Sequence, residues 1–151
     1  MPRPGIKFDP ETISIALFNL LQTSTFNFVS YDRKGKIWGD VPPANQPYLA
    51  LIEHGMTGVQ NTALGMEKWT LHYMLLVYIR ADADPATVPG TQINAAIKAI
   101  QEVISNVPIG EKQTLGGLVN NTWINGEISI DTGILDQQCA IVIPVTAECG
   151  I

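Results

Sequence analysis

The chain has 151 residues, 46% of them apolar, the size of one ordinary domain that can bury a core without staples. Its 9 basic residues against 14 acidic ones give a net charge of −5, and no basic run is longer than Arg33-Lys34, which disfavours a phosphate-gripping face. Cys139 and Cys149 fit neither a metal spacing nor a disulfide framework, which points to a reduced compartment, and Met1-Pro-Arg-Pro-Gly lacks the hydrophobic core of a signal peptide.

Asp9-Pro10-Glu11 combines a capping carboxylate, a proline where no donor is needed and an acidic first turn facing the helix dipole, which predicts a helix from about Pro10. Ile13, Ala16, Leu17, Leu20 and Leu21 follow at the spacing of one buried stripe. Ile15 and Phe18 lie outside it, and a broad core face accounts for them more simply than a subunit contact. Phe26 to Tyr31 reads as a short strand. Lys34 to Pro47 reads as a loop rich in glycine and proline, long enough to suggest a task, with Trp38 either folded back on the core or presented to a neighbour. Tyr48 to Glu53 is the next strand and Gly55 to Met66 a second extended loop.

Lys68 to Arg80 places Trp69, Leu71, Tyr73, Leu75, Val77 and Ile79 on one face of a strand. The other face begins polar at Lys68, Thr70 and His72 and turns apolar at Met74, Leu76 and Tyr78. At roughly 3.3 Å per residue this central strand would reach about 43 Å, beyond the edge of a small domain, and so suggests a partner. Ala81 to Gly90 reads as an acidic loop, and Thr91 as the cap of a helix carrying Ile93, Ile97, Ile100, Ile104 and Val107, ended by Pro108 and Gly110.

Gly116-Gly117 lets the chain swing into the following segment, and Asn125-Gly126 is a strong signal for a two-residue hairpin turn. That turn would set Trp123 opposite Ile128 and Asn121 opposite Ile130. Cys139, Ile141, Ile143 and Val145 share a face of a last strand, where Pro144, lacking a donor, implies an edge position or a bulge. The order predicts an α+β fold, with a mainly antiparallel sheet and two helices packed on one face, in a single domain over residues 1–151.

Chemical motifs are sparse. His54 and His72 belong to no spaced ligand set and read as plain surface or interface residues. Asp82 and Asp84 lack the further oxygen donors of a calcium loop, and Gly110-Glu111-Lys112-Gln113-Thr114 lacks the Gly-Lys-Ser/Thr order of a phosphate cradle. Glu127 and Asp131 share a side of the expected hairpin with no histidine beside them. The expectation is a protein that is not an enzyme and takes no cofactor or metal.

The succession of the Ile13 to Leu21 helix, the Pro47-Tyr-Leu-Ala-Leu51 strand, the aromatic strand from Trp69, the helix near Ile93, Thr114-Leu115-Gly116-Gly117 and the strand Cys139 to Val145 resembles the tail terminator or tail completion proteins of long-tailed bacteriophages. The resemblance implies a virion structural protein, a hexameric homo-oligomeric ring at the head-proximal end of the tail, assembled in the host cytoplasm. Such a ring caps the tail tube, stops its polymerisation and joins the tail to the head, with the tail-tube protein and a head-side connector protein as partners. DNA passes through without specific binding, a need that an acidic wall meets, and no membrane is involved. Another head-tail connector or tail-tube subunit is the near alternative. A small cytosolic enzyme or ligand-binding domain, with its pocket between the sheet and the helix near Thr91, is the distant one. The candidate partner or ring contacts are Arg33, Lys34, Lys36, Trp38, His54, Met56 and His72, with the loops Lys34 to Pro47 and Gly55 to Met66 making axial contacts.

Overall fold

The computed structural model describes residues 8–61, 66–80, 89–131 and 138–150. Helix α1 (Pro10–Leu21) starts where the sequence places it: the Asp9 carboxylate accepts from the Glu11 and Thr12 backbone N–H groups at 3.1 and 3.3 Å. Ile13, Leu17 and Leu21 are buried, together with Ser14, while Ile15 is exposed and Phe18 packs against the core beside Tyr31.

The strands are β1 (Ser30–Asp32), β2 (Tyr48–Asn61), β3 (Met66–Arg80), β4 (Asn121–Ile124), β5 (Ser129–Asp131) and β6 (Gln138–Gly150). They form one sheet in the order β1-β2-β3-β6-β4, with β5 also on β6. All pairings are antiparallel except β1 with β2, which is parallel. Helix α2 (Pro89–Ile104) joins α1 on one face. That face carries Leu49, Leu51, Leu71, Leu75, Val77, Ile141, Ile143 and Val145 against Leu17, Ile93 and Ile100, the α+β layer expected from the element order. Each such side chain contributes roughly 1.5–3 kcal/mol on burial.

Four expectations are corrected. The strand expected over Phe26 to Tyr31 is confined to Ser30–Asp32. The helix expected to open at a Thr91 cap opens earlier, with Thr91 inside its first turns because Pro89 takes a position that needs no donor, and it ends at Ile104, leaving Val107 beyond it. The Asp82 and Asp84 loop lies outside the described residues.

The second loop, Gly55 to Met66, is strand as far as Asn61 and strand again from Met66. Its glycines and threonines hid a ladder, because an extra residue at His54 shifts the alternation: Glu53 pairs with Tyr73, and Gly55, not His54, pairs with His72. A strand read through such a bulge loses its period of two.

The hairpin at Asn125-Gly126 is also absent. Strands β4 and β5 do not pair with each other but lie in line along the same flank of β6, Ile124 opposite Val145 and Ser129 opposite Val142. Residues 125–128 therefore face only 143 and 144, and the surplus bulges outward. The cause is Pro144. Its carbonyl accepts from the Asn125 N–H at 3.0 Å, so its donorless nitrogen faces this same flank and leaves the β3–β6 ladder unharmed. The proline thus sits in an inner strand, and its neighbour carries the bulge.

Gly116 and Gly117 have φ of 76° and 92°, the hinge the sequence signals.

Candidate interaction surface

The loop from Lys34 to Pro47 contains two short 3₁₀ turns, Trp38–Asp40 and Pro43–Asn45, and is fastened to the sheet face away from the helices. Tyr48 and Tyr78 lie on that face with stacked rings 5.5 Å apart. Their hydroxyls donate to the Lys34 carbonyl at 3.0 Å and the Lys36 carbonyl at 2.7 Å, and Val41 is buried beside them. Burial, followed by the nearby Asp32 carboxylate, pushes the Tyr48 hydroxyl pKa up to about 12. Desolvation works against the Asp32 carboxylate, yet the Lys34 backbone N–H and the Lys36 ammonium at 3.4 Å hold its pKa below the usual value.

Three candidate contacts are therefore engaged within the chain. Lys34 and Lys36 give their carbonyls to the two tyrosines. Arg33 bridges the Glu11 carboxylate on α1 and the Glu53 carboxylate on β2, the latter at 3.0 Å. The Arg33 hydrogen bond holds the Glu11 carboxyl below its ordinary pKa. Glu53 also accepts from the buried Ser14 hydroxyl at 2.8 Å, which lies 3.1 Å from the Tyr73 hydroxyl. Polar residues on α1, β2 and β3, together with Arg33 just after β1, thus tie the helix to the sheet at the bulge. Ser14 at a buried helix position is the signal that would have found this group.

Beyond the bulge, β2 and β3 continue as an arm beside the end of β6. Its helix-side surface is thin: Trp69 pairs with Gly58, and a Cβ at Gly58 would lie 2.7 Å from the indole, which covers the bare backbone. Phe8 stacks on that indole with centroids 4.6 Å apart. The far side is polar, with Thr57, Thr70 and a Lys68–Glu148 ion pair of 2.9 Å. Met56 is 46% and Val59 62% exposed. His54 is exposed in the bulge, and His72 is half-buried opposite Gly55 and Thr146. Trp38 lies at the start of a 3₁₀ turn.

At the other side of the sheet, α2 and the β4–β5 flank enclose a groove of about 390 Å³ lined by Ile97, Gln101, Ile104, Ser105, Trp123, Ile124 and Ile128. Gln113, unremarked in the sequence, closes α2: its Nε2 donates to the Ile104 carbonyl at 3.1 Å and its Oε1 accepts from the Leu115 N–H. A second cleft, of about 450 Å³, lies between Phe26, Pro47, Ile79, Arg80 and Gln92. Among the described residues no three of His, Cys, Asp and Glu are grouped to hold a metal ion. What this surface exposes is strand backbone and apolar side chains.

No protein-family model and no curated protein matches the chain. Among solved structures, its fold is similar to that of a chain in the virion of a native gene transfer agent particle, at 10% identity and a TM-score of 0.58, over 92% of this chain and 95% of that one. At that identity the likeness is one of fold.

Proposed function

We propose that this chain is a structural protein of a phage-like virion, a single-domain tail terminator that closes into a homo-oligomeric ring of about six subunits. Its work is geometric. One ring surface stacks on the last turn of the tail tube and stops its growth, the other meets the head-side connector at the head-proximal end of the tail, and DNA passes through the hole. The observation that carries this reading is the near-complete mutual coverage of the fold with a virion chain. The arm beyond His54 supports it, since the outer edge of β2 there has no strand partner among the described residues and leaves backbone for a neighbour. The candidate contacts in this proposal are His54, Met56, the loop carrying Trp38, and His72 at the base of the arm; Arg33 and Lys36 also pair with carboxylates of their own subunit, and Lys34 lends it a backbone carbonyl.

Light scattering and sedimentation across protein and salt concentration, followed by negative-stain imaging, test the ring. Single closed rings that halt growth of a tail-tube subunit support a terminator, whereas stacked tubes make the chain a tube subunit. The cleft at Phe26, Arg80 and Gln92, beside the start of α2, is a feature favouring a ligand-binding domain. Saturable small-molecule binding by a permanent monomer would select that reading.

A further inference from the structure

Among the described residues, both sides of the sheet end in unpaired strand. On the first, β1 accompanies β2 only as far as Asp32 opposite Ala50. The Pro47 carbonyl, accepting from the Val29 N–H at 2.8 Å, fixes which residues of β2 face outward. The β3 register runs unbroken past the bulge, so the same phase turns the backbone N–H and C=O of Met56, Gly58 and Gln60 away from β3. On the second side, the Pro144 carbonyl faces β4, and alternation turns the backbone of Thr122, Ile124 and Ile130 outward. Unpaired edges of this kind template the addition of another strand.

The side chains agree with such a junction. Met56 pairs with Leu71 and projects on the helix side of the sheet, where Leu71 is buried. The groove by Ile97, Ile104, Ile124 and Ile128 is also on the helix side. A sheet continued from one copy to the next brings an exposed apolar side chain to an apolar groove.

We propose that the outer edge of β2 over Met56–Gln60 in one copy pairs with the β4–β5 edge of a second copy, with Met56 seated in the groove beside α2. The contact is head-to-tail: each copy uses one edge and offers the other, so it repeats until a ring closes. The inference rests on the self-assembly proposed above and names its contact. A chain of net charge −5 repels its copies, so association strengthens with added salt.

Three variants test it. Q60P removes an outward N–H that none of the described strands uses, M56D puts a charge where the groove is apolar, and I128D spoils the groove itself. Sedimentation at equal concentration and salt is read beside the melting temperature of each variant. The expected result is assembly by the wild-type chain and folded monomers for Q60P and M56D. Equal amounts of Q60P and I128D then give 1:1 pairs and nothing larger, since each lacks one edge and keeps the other. Rings formed by Q60P and M56D as by wild type overturn the edge pairing and leave the ring reading intact. A wild-type chain monomeric at every concentration overturns both. If I128D does not fold, Q60P and M56D decide alone.

Discussion

The indole of Trp69 covers Gly58 across the β2–β3 ladder, so closely that a Cβ on Gly58 would lie 2.7 Å from two ring carbons. Neither residue would do alone. The glycine leaves strand backbone bare, and the ring, stacked in turn by Phe8, covers it. Gly58→Val is expected to cost roughly 1–3 kcal/mol by displacing the ring. In a Trp69→Ala background the same change should cost much less, and urea unfolding of the four chains measures that coupling.

Arg33 holds two carboxylates from different elements, and Arg33→Met should lower the melting temperature with an effect that shrinks in high salt. The pH dependence has a definite sign. The Glu11 pKa is lowered from 4.5 in the folded chain, chiefly by its hydrogen bond to Arg33, so its contribution is present above about 4.5 and fades as pH falls through the folded value. A melting curve series from pH 7 to pH 3 should fall less steeply for the variant than for the wild-type chain.

Tyr48 titrates at the other end of the scale. Its hydroxyl pKa is raised from 10.0 to about 12, so the folded chain keeps a proton that the unfolded chain loses. Stability is fully present below pH 10 and declines as pH rises toward 12, by no more than ~2.7 kcal/mol and less where solvent screens the hydroxyl. Tyr48→Phe should flatten that decline while weakening the hold on the Lys34 carbonyl, both visible in urea titrations at pH 8 and pH 11.

Gly126 sits in the outward bulge with φ of 124°, and a Cβ there would lie 3.2 Å from the Pro144 ring. Gly126→Ala is expected to cost about 1–3 kcal/mol. Pro144→Ala should relieve the contact without relieving the backbone, so the double variant recovers part of the loss. Full recovery in chemical denaturation would contradict a strained backbone at Gly126.

What was legible in the sequence had a local cause. The first helix announces itself through Asp9, Pro10 and the stripe from Ile13 to Leu21, because capping and period are read within a few residues. The faces of β3 follow from strict alternation, and Gly116-Gly117 from the need for positive φ. The misreadings share the opposite cause. Asn125-Gly126 has turn chemistry, but the partner of β4 is β6, more than a dozen residues further on, and the proline that shapes the segment lies in that partner. The loop expected over Gly55 to Met66 failed because a single extra residue, His54, breaks the period while the ladder continues. Of the candidate contacts, Arg33 and Lys36 look like solvent-seeking charges in sequence and are paired within the chain, Arg33 with Glu11 and Glu53 brought by other elements and Lys36 with Asp32, while Lys34 gives its backbone carbonyl to Tyr48.

The sequence by itself determined the α+β class, the start of α1, the buried face of β3 and the hinge at Gly116-Gly117, since each rests on residues close enough along the chain to act on one another before folding. The tertiary structure decided which strands pair, where the bulges fall, which charges pair within the chain and which two edges stay open among the described residues. Backbone hydrogen bonds between strands carry no residue identity, and their assignment is settled only when distant segments meet over a common core.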